Sequence, residues 1–573
     1  MVENRKSIIL FGAGDIGKRA LRHFGRERVY CFADNSEAKV GTMIEGVPVI
    51  SFTDLKRIYK EYQIVIAVDP RKFFALAAQL EDVGINNYVS YFKIIHDYTE
   101  PLRYESTLSG NHTSVHPAYG TKKVLMIAYF FPPLGGSGVY RSIKFAKYLR
   151  NFDWEPTIIS TDQVPPDQDF IDESLMKEIP EGAEVVRIPD YIGTLRRTYF
   201  PEYKDDVLQF LGDILQGDKD ASAIFESRKG SRTGEAELLT TPCAALTWAY
   251  DVVQYIEKNL DVQQFQAIYT TSTPFSAHLI GAYFKKRYRI PWVADYRDPW
   301  TGNPYFDYDQ NSAWYKLFAA LESILMRLAD CNITPGPTLV KSYIERFQLE
   351  KNRVICITNG YDEADFQALT VPMHPSKYFT INYSGVFYTQ GRSIIPILQA
   401  VRQLCDEKLV DLDTIRFRIV GSVDKHNAIF AAGYGLENVI VQTGYVCHSE
   451  ALQSNLDANI LLLLVGSDEK FKIALLGKFF DYLRSGRPIL AIVAKDGVID
   501  RKLQETGHGK AFLETDIPQI KAMILQEYQK WQCGEAQELL HSPAINQYER
   551  KYLTKQLAEI FNFVCQKEGT AEG

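Results

Sequence analysis

The chain has 573 residues, of which 46% are hydrophobic, 24% charged and 13% aromatic, with a formal net charge of -7. Such a length buries several cores, and the mild acidity, with no basic block longer than KKRYR at Lys285, disfavours nucleic acid as a partner. Eight cysteines without a Cys-x-x-Cys pair argue against a zinc site, a redox pair or a disulfide framework, and no run of ~18 apolar residues predicts a membrane span.

Residues 7–92 alternate apolar runs (SIILFGAG, VYCFADN, IVIAVD, NNYVSY) with helical patterns, which predicts βαβ units on a parallel sheet in a first domain, 1–98. Within it, FGAGDIGKRAL places Gly12, Gly14 and Gly17 at G-x-G-x-x-G spacing, and Asp34 ends the next strand, 20 residues beyond Gly14. Two readings stay open: a nucleotide or NAD site, with Asp34 on a ribose hydroxyl, or a tight turn kept for packing. FADNSEAKVGTMIEGVPV, beginning at Phe32, resembles the N-terminal nucleotide-binding domain of bacterial polysaccharide-biosynthesis and sugar-modifying enzymes. Residues 99–121 are polar and aperiodic and read as a linker.

The α/β rhythm restarts in a second domain, 122–353. KVLMIAYF leads into YFFPPLGGSGVYR, where Gly135, Gly136 and Gly138 sit at a strand-to-helix junction suited to an anion; a glycine turn without ligand is the alternative. The next helix carries Val139, Ile143, Ala146 and Leu149 on one stripe. Tyr140 with Lys144 has the spacing of a reductase pair, but 34 tyrosines make that a chance match. Residues 195–245 contain a polar insertion. ADYRDPW offers Asp295, Arg297 and Asp298 at a strand end: either carboxylate is a candidate to orient an acceptor hydroxyl or act as base, or an Arg-Asp pair braces the loop. His278 reads as packed, and the apolar positions of AWYKLFAALESILMRLAD read as core in preference to a membrane-surface helix. Asp307 with Asp309 has the Asp-x-Asp spacing of some metal sites, which recurs at Asp167 with Asp169 and Asp411 with Asp413.

A third series, 354–541, begins with VICITNG and runs through FTINYSGVF, RFRIVG, VIVQTGYV, ANILLLLVG and PILAIVA. In LLGKFFDYLRSGRPILAIV, Lys478 is a cation for phosphate and Asp481 follows one turn later on the same face; a solvated ion pair is the plain alternative. The tail, 542–573, has a helical period.

Taken together, KVLMIAYFFPPLGGSGVYR, ADYRDPW, ITNGYDEADF, YSGVFYTQGR, GYVCHSEAL and GKFFDYLRSGRPIL resemble, in order and spacing, the GT-B glycosyltransferases, closest to family four, over about 440 residues from Lys122. The resemblance implies an α/β chain of three Rossmann-like units: the N-terminal one fused to two that face each other across a cleft, with the tail returning to the first of the pair. It implies that Lys478 and Arg392 grip the donor diphosphate, that Asp481 replaces the usual Glu on the donor ribose, and that Gly385 lets its loop approach. Gly135 and Gly136 would close over donor and acceptor, and Tyr445 to His448 would surround the nucleobase. An acidic residue common in the family is here Ile473. The implied activity is metal-independent, retaining transfer from a nucleoside-diphosphate sugar to a glycan or lipid-linked acceptor, in bacterial surface polysaccharide or glycolipid assembly. The implied setting is cytoplasmic, at most peripheral to the inner face of a membrane. A non-catalytic nucleotide-sugar binder and an NAD-dependent sugar-modifying enzyme are the alternatives.

Overall fold

The computed structural model describes residues 7–68, 76–77, 79–91, 102–104, 122–161, 171–188, 190, 201–229, 238, 245–303, 309–372, 376–385, 393–421, 433–534 and 538–569. Three sheets account for the described strands. The first runs Met43–Ile44, Val47–Ser51, Val29–Asp34, Ile8–Phe11, Gln63–Ile66, Tyr88–Ser90, parallel but for the short hairpin at its edge. Alternation along its central strand sends Ile8 and Leu10 to one core and Ile9 and Phe11 to another, as expected of a sheet covered on both faces.

The second sheet has eight strands, in the order Val354–Cys356, Cys331–Thr334, Trp292–Asp295, Ala267–Thr271, Lys122–Ala128, Trp154–Thr161, Val185–Ile188, Leu102–Tyr104. Two features correct the boundaries expected from sequence. Leu102–Tyr104, inside the supposed linker, pairs antiparallel with Val185–Arg187 and closes one edge. Val354–Cys356, expected to open the third domain, pairs in parallel with Asn332–Thr334 and closes the other. Hydrophobic rhythm marks a strand but does not say which sheet it joins. Part of the polar insertion forms the helices Pro201–Leu215 and Lys219–Lys229, whose Val207, Leu211 and Phe225 join the core. The third sheet runs Ile440–Gly444, Ile415–Val420, Phe379–Ser384, Ile460–Gly466, Ile489–Val493, Gly509–Phe512, all parallel. Its order reverses between Phe379–Ser384 and Ile460–Gly466, the switch point where ligands of open α/β sheets bind.

The second and third sheets form two lobes whose loops at the C-terminal strand ends meet. A Cβ added to Gly336, after one strand of the second sheet, would lie 3.9 Å from the Ile473 carbonyl oxygen of the other lobe. The chain then crosses back: Tyr361 N donates to Tyr548 O and Arg550 N to Tyr361 O. Gly360 is required at this crossing, since a Cβ there would stand 2.0 Å from Tyr548 O. The returning helix Arg550–Gly569 puts Leu553, Leu557, Phe561 and Val564 into the core under the second sheet, with Phe561 edge-on to Trp154 at 5.1 Å. Two facing lobes with a returning tail are the arrangement that the sequence resemblance implies. In the helix Ala313–Leu328, Leu317, Phe318, Leu321, Leu325 and Met326 are core. Among the described residues no helix is long and apolar enough to cross a membrane.

Candidate functional site

At the switch point of the third sheet, the strand Phe379–Ser384 ends at Gly385 (φ +110°) and faces the start of the helix Gly477–Ser485. The Tyr482 hydroxyl accepts from Ser384 N at 2.8 Å and fixes helix to strand. Lys478, in the helix's first turn, places its Nζ 3.8 Å from the Tyr383 ring centroid. A Cβ on Gly385 would stand 3.0 Å from that Nζ, so glycine is what leaves the ammonium its room. No side chain caps this helix, so its first N–H groups and the positive end of its dipole add to the lysine's charge. Arg392 lies outside the described residues.

One turn on, Asp481 is partly buried, and its carboxylate accepts no hydrogen bond among the described residues. Burial pushes it up to about 6, against the pull of His448 and Arg550. An Asp with a raised pKa destabilises the fold where it is ionised, so stability is gained as pH falls through about 6 toward the unfolded value. Asp481→Asn should therefore be more stable than wild type by about 1–3 kcal/mol at about pH 8, with the gain vanishing below about pH 4. Chemical denaturation at the two pH values measures this.

His448 opens the helix His448–Leu456 and joins the lobes. Its ring lies 4.4 Å from that of Tyr140, its Nε2 is 3.4 Å from Asp365 Oδ2, and its backbone N donates to Asp172 Oδ2 at 3.4 Å. Burial disfavours the imidazolium, but Asp365 and Asp481 outweigh it and raise the pKa. Tyr445, nearby, is exposed (39%).

On the second sheet's side, Gly136 (φ +90°) precedes the helix Ser137–Leu149 and follows Gly135 in the loop; no side chain caps this helix either. A Cβ on Gly138 would stand 2.7 Å from Arg297 Nη1, so the glycine-rich turn seats a guanidinium that also donates to Ser272 O. The two carboxylates of ADYRDPW are separated by the structure. Asp298 is exposed. Asp295 is fully buried: Arg141 donates to it twice (Nε to Oδ2 at 2.6 Å, Nη2 to Oδ1 at 2.9 Å) and the Tyr269 hydroxyl donates as well. Asp295 is thus engaged as a brace, but with Arg141 and not Arg297. His278 is buried, with Nδ1 2.7 Å from Thr270 Oγ1, and burial lowers it to about 3, a neutral packed ring. Of the Asp-x-Asp pairs, Asp307, Asp167 and Asp169 lie outside the described residues, while Asp411 and Asp309 accept backbone N–H groups of their own turns, from Asp413 and Asn311.

Sequence reasoning missed the ionic junction beneath the cleft. Lys144 Nζ pairs with Asp365 (2.6 Å), Asp362 (2.7 Å) and Glu178 (3.0 Å), Lys147 with Glu178 and Asp362, and the Tyr148 hydroxyl donates to Asp362 at 2.6 Å. Against the cost of burial, Lys144, Tyr148 and Lys147 hold Asp362 at about 2. Glu178, Asp362 and Asp365 are close enough to share a metal, but the two ammonium groups already compensate them. Arg141, Lys144 and Tyr148 at helical spacing were the visible signal; Lys144 serves here and not as a partner of Tyr140.

In the N-terminal unit, Gly12 (φ +120°) and Gly17 are explained by packing, since a Cβ on Gly17 would stand 2.0 Å from Gly12 O. Nothing lies within 4 Å of a Cβ on Gly14. Asp34 turns back into the loop, where Ala13 N (2.7 Å), Ser36 N (2.9 Å) and Lys39 Nζ (3.2 Å) donate to it. Burial opposes its charge, but these donors hold the carboxyl below its ordinary range.

Residues 232–365, from the insertion to Asp365, match the family described as Glycosyltransferase Family 4, so the expected family is met over that segment. No curated protein matches the chain. Similar solved structures include a glycosyltransferase from Rickettsia africae (12% identity, 78% of this chain and 99% of that one, TM-score 0.47). Anabaena Alr3699/HepE, solved with UDP and glucose, is 13% identical over 78% and 99% of the chains, with a TM-score of 0.45. The UDP-GlcNAc 2-epimerase of Methanocaldococcus jannaschii, solved with UDP-GlcNAc and UDP, is 11% identical over 77% and 99%, with a TM-score of 0.39. Nothing about donor, acceptor or reaction follows from likenesses of this depth.

Proposed function

We propose that this chain transfers a sugar from a nucleoside-diphosphate sugar, held on the third sheet's lobe, to an acceptor hydroxyl presented by the second. The observation that carries the reading is the Lys478 ammonium, fixed over Tyr383 at an uncapped helix start and at a sheet switch point. When the glycosidic bond breaks, negative charge grows on the departing diphosphate, and a preorganised cation with aligned N–H groups lowers that barrier most where charge develops. Arg392 is the second cation in this proposal. Asp481 accepts from the donor ribose, with Tyr445 beside the base.

On the acceptor side, Asp298 is the exposed carboxylate available to orient the hydroxyl. Asp295 acts through Arg141 on the shape of the strand end. In this proposal charge neutralisation by protein cations makes the transfer metal-independent, and anomeric configuration is retained, as the sequence resemblance implies. We assign the acceptor to the glycans or lipid-linked sugars of bacterial surface polymers, the class the sequence resemblance implies. The test is nucleotide release from a panel of nucleotide-sugars, with and without glycan acceptors. Acceptor-dependent release that is unaffected by chelator supports the proposal; binding without turnover of any donor would reduce the chain to a nucleotide-sugar sensor.

A further inference from the structure

Arg297 stands where the C-terminal ends of three neighbouring parallel strands of the second sheet come together. It follows Trp292–Asp295, and its guanidinium donates from Nε to Ser272 O and from Nη2 to Thr273 Oγ1 (3.5 Å), both just beyond Ala267–Thr271. Those two contacts fix the third nitrogen. Nη1 lies 2.7 Å from where a Cβ on Gly138 would stand, over the first turn of the helix Ser137–Leu149, and it donates to no group among the described residues. No carboxylate answers this charge: Asp295 is taken by Arg141 and the Tyr269 hydroxyl, Asp298 is exposed, and neither forms an ion pair with Arg297 among the described residues. Burial lowers the guanidinium below the ordinary arginine value, against the pull of Asp298 and Asp295. A cation over the first turn of an uncapped helix also faces the positive end of its dipole. The two repel each other until an oxyanion lies between them.

We propose that Arg297 and the start of the helix Ser137–Leu149 form a subsite for an oxyanion carried by the acceptor, so that the chain selects acceptors bearing a carboxylate or a phosphate over neutral ones. This rests on the transferase reading above, in which the second lobe presents the acceptor and Lys478, on the other lobe, meets the donor diphosphate. Consecutive residues then divide the acceptor between them: Arg297 reads its charge and Asp298 its reacting hydroxyl. The planar guanidinium suits a carboxylate and a phosphate alike, since each offers paired oxygens to N–H donors. The carboxylate of an acidic sugar and the diphosphate of a lipid-linked sugar are the two sources of that chemistry.

The experiment measures binding of octyl glucoside, octyl glucuronide and glucosyl octyl diphosphate to the full chain in saturating UDP, using wild type, Arg297→Gln, Arg297→Lys and Gly138→Ala. Wild type should bind at least one of the two anionic compounds about 10- to 100-fold more tightly than the glucoside, the range of a charge-assisted hydrogen bond. Whichever is preferred names the source. Arg297→Gln should erase the preference, and Arg297→Lys, which keeps the charge without the fork, should retain part of it. Gly138→Ala crowds Nη1 from the other side while favouring the helix, so it should weaken the preference with no fall in unfolding temperature. Equal affinity of wild type for all three compounds overturns the proposal, as does a preference that survives Arg297→Gln. A loss of UDP affinity in Arg297→Gln would give the guanidinium to the donor diphosphate and overturn it too. Poor folding of both Arg297 variants with an unchanged preference in Gly138→Ala would make the residue a structural support. Nucleotide release from the donor panel tests the transferase reading separately: turnover without any charge preference sinks this inference alone, and a preference without turnover of any donor leaves an anion site on a chain that is not a transferase.

Discussion

Lys478→Ala should cut sugar transfer by about 10²- to 10³-fold, a loss of about 3–4 kcal/mol of transition-state stabilisation, while the unfolding temperature stays close to wild type. The ammonium is attached to a helix that Tyr482, Phe479, Phe480 and Leu483 hold in place, so the truncation removes the charge and its contact with the Tyr383 ring but leaves the helix's apolar anchors intact. Lys478→Arg should rescue poorly, because Gly385 and the Tyr383 face leave space for a compact ammonium and not for a planar fork. Single-turnover rates with a radiolabelled donor check this. A variant that transfers at the wild-type rate would remove the charge-based mechanism.

The largest stability effect belongs to Asp295. Asp295→Ala should destabilise the chain by about 3–5 kcal/mol, because it strands the Arg141 guanidinium in a buried site with no carboxylate to answer it. Arg141 also donates to Thr358 O and Ile357 O, both at the chain's passage between the lobes, so the loss should loosen the hinge as well as the strand end. Asp298→Asn, in the same short motif but exposed, should stay within about 0.5 kcal/mol of wild type and lower kcat. Urea denaturation beside steady-state kinetics separates the two: an Asp298 variant that unfolds early, or an Asp295 variant as stable as wild type, would reverse the assignment of brace and acceptor contact.

Much of this architecture was readable from periodicity. Apolar runs bounded by glycine fell on strands, and the stripe Val139, Ile143, Ala146, Leu149 is buried as its spacing required. Pairing was not readable, which is why Val354–Cys356 and Leu102–Tyr104 joined a sheet other than expected: strand partnership is settled by which edge is open, a property of the assembled sheet. Site residues divide in the same way. Lys478 is a candidate that sequence alone could offer, because a lysine in the first turn of a glycine-ended helix before a buried strand is a local pattern. The function of Asp295 depends on Arg141, 154 positions away, and a carboxylate at a strand end looks the same whether or not a guanidinium meets it.

That return also bears on biosynthesis. Leu553, Leu557 and Phe561 complete the core laid down by Val124, Met126 and Trp154, yet they leave the ribosome after every strand of the other lobe. The lobe built on the second sheet must wait, one face uncovered, while its neighbour is translated and folds. Nascent-chain proteolysis should find residues 379–532 protected before residues 122–356, an inverted order for a vectorially made protein.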